Sequence, residues 1–141
     1  MKKQNWLIKI KSTARQTEKF VQLLEIIRWE KSMTSIGAYM SASEKKLNSL
    51  FEEEKTVLNK IQNLNQYWLI NTGLSYAIKQ SELEVKKKKK EKIDKIIRHP
   101  LLSNIEKAYS LRAKLSFYFS WSAYHDFFAN FSKVHHYNTK L

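Results

Sequence analysis

The chain has 141 residues, 43% hydrophobic and 28% charged, with a net charge of +13, which suits about one folded domain and excludes a disordered chain. Two glycines and one proline leave few places for tight turns, and period-2 alternation is absent, so sheet folds give way to long helices. The absence of cysteine removes disulfides and thiolate metal sites.

The N-terminal segment Met1-Lys2-Lys3-Gln4-Asn5-Trp6 starts basic, but Lys9 and Lys11 break the apolar run that follows it. No signal-peptide core forms, and no window reaches the roughly 18 apolar residues of a membrane span. A cytoplasmic protein is expected. The charge is uneven: +5 over residues 1–33, zero over 34–78, +5 over 79–98 and +3 over 99–141.

In chain order, Ser12 or Thr13 caps a first predicted helix running to about Lys31. Phe20, Leu23, Leu24 and Ile27 form its buried stripe, widened by Val21, Ile26 and Trp29. Ser32 to Met40, with Gly37, reads as a connecting loop. A capping box from Ser41 to Glu44 opens a second helix, with Leu47, Leu50, Val57, Ile61, Leu64 and Trp68 on its inward face. It is expected to end at Thr72, with Gly73 as the left-handed residue after it. Such a helix is long enough to be a bundle spine or a coiled-coil arm.

Ser81 is the expected cap of a third helix reaching Arg98, in which Lys86 to Lys90 cover more than a full turn. Pro100 ends it, and a second capping box, Ser103 to Glu106, opens a fourth helix over about Asn104 to Ala129. Ten of the eighteen aromatics lie between Tyr109 and Tyr137, so the densest core is expected there. A fifth helix begins near Phe131 and is still running at Leu141.

The segment Leu115 to Leu141 resembles one tetratricopeptide-type helical hairpin. Trp121-Ser122 stands for the large-then-glycine pair, Asn130-Phe131 for the tight turn, and Val134 and Tyr137 for the inward positions of the second helix. Val134, Ala129 and His125 depart from the repeat's usual alanine, glycine and tyrosine. Over Ser43 to Leu141 the order of features is similar to a group of uncharacterised bacterial helical-repeat proteins: a long Glu/Lys/Leu helix, a charged helix, His-Pro-Leu-Leu, then an aromatic hairpin. The resemblance implies an architecture, a short solenoid of antiparallel hairpins, and no activity. Because those proteins are longer, it also implies a shortened member or a fragment, with Val134, Tyr137 and Leu141 forming an apolar patch open to a partner or to self-association.

Few residues suggest chemistry. His135, His136, His125 and Asp126 form one conceivable metal cluster, but adjacent helical histidines point about 100° apart. Glu52, Glu53 and Glu54 read as a solvated face or as intramolecular partners for lysines rather than as a catalytic pair. Phosphate-cradling glycine motifs are missing. The lysine run has two readings, a solvated stretch or a set of phosphate contacts whose binding weakens with salt. Only four of the 26 basic residues are arginine, which argues against base readout. The aromatics are read as core rather than as stacking platforms for bases.

These readings combine into an all-α fold of about five helices as antiparallel hairpins, in a short solenoid or an irregular bundle. They place it in one domain over 1–141, made of a helix and loop (1–40), a long helix (41–80) and a basic helix with an aromatic hairpin (81–141). The expected function is non-enzymatic binding of another protein, or self-association, without cofactor, metal or small-molecule ligand. The alternative is non-specific nucleic-acid binding through 1–15 and 79–98, with Lys86, Lys87, Lys88, Lys89, Lys90, Lys92 and Lys95 as contacts. A third class, association with a membrane surface, has only the charge in its favour.

Overall fold

The computed structural model describes the backbone of residues 2–38, 44–80 and 86–138, and the side chains of 5–37, 44–80 and 86–129. Among these residues the fold is all-α. It consists of α1 (Lys2–Gln16), α2 (Phe20–Ala38), α3 (Glu44–Lys79), α4 (Lys86–Ile97) and α5 (Leu111–Asn138), with two 3-10 turns at Pro100–Leu102 and Ile105–Lys107. The number of helices agrees with expectation, but several of their boundaries differ.

The first predicted helix is two helices. α1 closes in a Schellman motif: Lys19 N–H donates to Ala14 O at 2.9 Å and Glu18 N–H to Arg15 O at 3.3 Å. Glu18 takes the left-handed conformation, with φ of 51°, which glycine usually supplies. Composition gave no warning of a stop there. The expected loop from Ser32 is helical as far as Ala38, and the cap at Ser41 lies outside the described residues.

Gly73 does not end α3, which continues to Lys79. No proline or capping group follows Gly73 to stop it, and an isolated helical glycine costs only about 1 kcal/mol. Ser103 opens no α-helix either. Asn104 caps the second 3-10 turn by accepting from Glu106 N–H at 2.9 Å. α5 instead starts behind Ser110, whose hydroxyl accepts from Ala113 N–H at 3.1 Å. α5 then runs unbroken through Asn130 and Phe131 to Asn138, so one helix stands where the tetratricopeptide resemblance implied a hairpin turn. No glycine or proline occurs between Leu111 and Asn138 to break it.

The chain divides into two compact units, Met1–Gln62 and Asn63–Leu141. In the first unit Ala14, Phe20, Leu23, Leu24, Ile27, Leu50 and Val57 are buried, so the stripe read from Phe20 to Ile27 is the core face of α2. Burying each of its larger members contributes about 1.5–3 kcal/mol. Trp29 and Val21, expected to widen that stripe, are exposed.

The second unit has two adjoining clusters. Tyr67, Ile70, Ile97, Leu102, Ala108 and Ala113 form one, with Phe117 and Trp121 against it. Leu74, Ala77 and Ile93 form the other, with Phe127 and Phe128 against it. The large aromatics of α5 are half-buried around these cores, while Tyr109, Tyr118 and Phe119 are exposed. The band expected to be core is therefore split between core edge and surface.

Polar side chains on α3 set this arrangement. Asn63, only 4% exposed, donates to Lys107 O at 2.9 Å and accepts from Tyr109 N–H at 3.0 Å. Tyr67 donates its hydroxyl to Leu101 O at 2.7 Å, and Ser120 donates to Asn71. Asn63, Tyr67 and Asn71 recur every four residues and share a face. Two of them satisfy backbone groups of the irregular 3-10 segment, which secondary structure leaves open. With Tyr67 inward, Trp68 turns about 100° away and lies outward, contrary to its predicted place on the inward face.

Candidate functional site

Three surfaces bear on function, and each belongs to one unit. The first is the basic N-terminal segment, and most of its described charge is spent inside the fold. Lys11 reaches Glu30 at 2.5 Å and Glu53 at 2.7 Å, and Arg15 also pairs with Glu53. Arg28 meets Glu54 at 3.1 Å, and Lys31 pairs with the same carboxylate. The ammonium of Lys31 also lies 4.4 Å from the centre of the Phe51 ring. Glu53 and Glu54 are thus the intramolecular partners for basic residues that the sequence offered as one of two options, while Glu52 is exposed. The hydrogen bond from Lys31 holds the Glu54 carboxyl below the usual carboxylate range, with partial burial opposing it and Arg28 reinforcing it. Lys9 remains exposed beside Trp6 and Ile10 in a groove between α1 and α2.

The second surface is α4. Ile93 and Ile97 are buried and fix its rotation. Lys89 faces the fold: its ammonium donates to Gln80 O, just beyond α3, at 3.0 Å and stands 5.8 Å from the Phe127 ring centre. Lys92 reaches Gln80 Oε1 at 3.3 Å, and Lys90 lies 5.6 Å from the Phe128 ring centre. Lys86, Lys87, Lys88 and Lys95 are exposed and make no hydrogen bond or ion pair among the described residues. The seven lysines predicted as one anion site therefore divide into an inner group that packs α4 down and an outer group facing solvent.

The third surface was not foreseen. An open groove of about 520 Å³ between α3 and α5 is lined by Trp68, Asn71, Thr72, Ser75, Tyr76, Lys79 and Phe119. Trp68 is 67% exposed, Tyr76 68% and Phe119 53%, and Lys79 is the one charged group lining the groove. Leu115 and Tyr118, also exposed, lie four residues and one residue before Phe119 on α5. The period of Trp68, Thr72 and Tyr76 is legible in the sequence, but the apolar spacing from Leu64 predicts Trp68 in the core.

The predicted interaction surface is only partly placed. Val134 and Tyr137 fall within α5, their side chains outside the described residues, and Leu141 lies outside them altogether. His125 stacks on Trp121, with ring centres 5.8 Å apart and 27° between planes, while the side chains of His135 and His136 are not described. Among the described residues no group of three or more His, Asp or Glu is placed to hold a metal ion. Nor is any described helix long and apolar enough to cross a membrane. Tyr124 donates its hydroxyl to Asp94 at 3.2 Å. Burial chiefly, then the Asp94 charge, pushes its ionisation above the ordinary tyrosine value. This is a structural tie between α4 and α5 with no reacting atom beside it. Protein-family models, curated proteins and solved structures yield no match to the chain.

Proposed function

We propose that the chain is a non-enzymatic helical interaction module that binds another protein in the α3–α5 groove. The observation that carries this reading is the convergence of three aromatic side chains, Trp68, Tyr76 and Phe119, each more than half exposed, on one groove. Aromatic anchors of this kind dominate binding energy at protein interfaces, and exposed apolar patches mark such sites. The occupant that fits is an amphipathic segment whose apolar side covers the three rings and whose acidic end meets Lys79. The net charge of +13 favours an acidic partner and opposes a second copy of the same chain.

A photo-crosslinker at Thr72, in the wall of the groove, tests the reading in cell extract. An acidic partner should be captured by the parent chain and by a Trp29→Ala/Met33→Ala control in the first unit. Capture should fall tenfold or more in Trp68→Ala/Phe119→Ala, since two central aromatic anchors each contribute about 1–2 kcal/mol or more. Capture that survives the groove substitutions, or that yields only a second copy of the chain, would remove the reading.

A further inference from the structure

The outer face of α4 is a surface of a different kind. With Ile93 and Ile97 inward, the helical repeat turns Lys88 and Lys95 directly outward, flanked by Lys87 and Arg98, with Glu91 as the one acid among them. Five residues, four of them cationic and all exposed, occupy about three helical turns. Asp94, the other acid of α4, is engaged by the Tyr124 hydroxyl. Carboxylates do not compensate this face as they do the cations of the first unit: among the described residues Lys87, Lys88 and Lys95 have no ion-pair partner. The first turn of α4 holds no acidic residue, so the positive end of the helix dipole adds to the field at Lys87 and Lys88.

We infer that this face binds the phosphate backbone of a nucleic acid without reading its bases. The side chains decide among the polyanions. No apolar group stands on the strip to enter a bilayer, and lipid anchoring through a helix needs such a face. Lysine is depleted at protein interfaces, and the strip has no aromatic anchor to hold an acidic protein. Lysine ammoniums spread over two helical turns, with one terminal arginine, are point charges suited to neutralising phosphates and unsuited to bidentate base contacts. Phosphates of a duplex recur about every 1.7 Å along the axis, counting both strands, so a helix face about 15 Å long meets several at once.

The test is fluorescence anisotropy of a labelled mixed-sequence DNA duplex across a salt series. Four phosphate contacts predict a slope of log K against log salt of about −3.6. In Lys87→Gln/Lys88→Gln/Lys95→Gln the slope should shrink by about 2.7 units, with affinity down tenfold or more at low salt. The same charge is removed from the first unit in Lys45→Gln/Lys55→Gln/Lys60→Gln, which should retain most of the binding. Circular dichroism should show the α4 variant as helical as the parent, because its three lysines are exposed and make no hydrogen bond or ion pair among the described residues. Equal losses in the two triple variants would reduce the effect to bulk charge and overturn the proposal. So would tighter binding to phosphatidylserine vesicles than to DNA at equal salt, or an unchanged slope in the α4 variant.

Discussion

The two units solve the same problem, closing a layer of helices, with different chemistry. In the first, Glu53 and Glu54 of α3 sit among Lys11, Arg15, Arg28 and Lys31, so ion pairs at the edge of the core tie α1 and α2 to α3. In the second, α3 presents Asn63 and Tyr67 to backbone groups of the irregular segment and packs Leu74 and Ala77 against Ile93. Charge attraction is screened by salt and lost with protonation, whereas apolar burial and neutral hydrogen bonds respond weakly to both. One long helix therefore carries an electrostatic fastening at one end and a dry one at the other.

The sharpest way to separate them is Leu74→Ala, which empties a fully buried site. It should cost the second unit about 3 kcal/mol, within the range seen for buried leucine truncations. Urea unfolding should show the same loss at low and high salt. A loss that vanished in high salt would contradict the dry description.

Next in size, Glu54→Gln should cost the first unit about 1 kcal/mol at neutral pH, the Lys31 pair being partly buried and the Arg28 pair open to solvent. The sign of the pH effect follows from the lowered carboxyl. A carboxylate held below its ordinary value stabilises the fold above the unfolded value, and that contribution is lost as pH falls through the folded value. Thermal melts should thus show the parent losing its advantage over the Gln variant on acidification. An advantage independent of pH would mean that the pairs contribute little.

The smallest effect is a gain. Gly73 lies inside α3, and a Cβ built there meets nothing within 4 Å. Gly73→Ala should stabilise the second unit by about 0.5–1 kcal/mol through helix propensity alone. A loss instead would show that something packs closely against that face.

What was legible in the sequence was periodicity. The stripe of Phe20, Leu23, Leu24 and Ile27 is buried as read, and the all-helical fold follows from the scarcity of glycine and proline. What was hidden depended on tertiary partners. Trp68 was read inward because tryptophan is apolar, yet Tyr67 holds the inward place because Leu101 O needs a donor. Ser103 matched a capping pattern, but Pro100 leaves the next residues in 3-10 turns, and Asn104 and Ser110 do the capping. Five consecutive lysines cannot share one side of a helix, but which of them turn inward depends on tertiary partners: Lys89 is committed to Gln80 O while Lys87 and Lys88 face outward. The groove is hidden in the sequence because apolar spacing puts Trp68 and Phe119 in the core, while Tyr76 falls beyond the expected helix end at Gly73.

The left-handed residue between α1 and α2 governs which replacements that joint will accept. Glu18 occupies a conformation that costs a residue with a Cβ about 1 kcal/mol. Glycine there would relieve that strain but return a similar amount as extra freedom in the unfolded chain, so the exchange is close to neutral. Asparagine and aspartate are tolerated there because their short polar side chains can hydrogen-bond locally, while valine and isoleucine, branched at Cβ, are not. The backbone of the joint is thus restrictive toward branching at Cβ, a filter on shape that acts whatever charge the side chain carries.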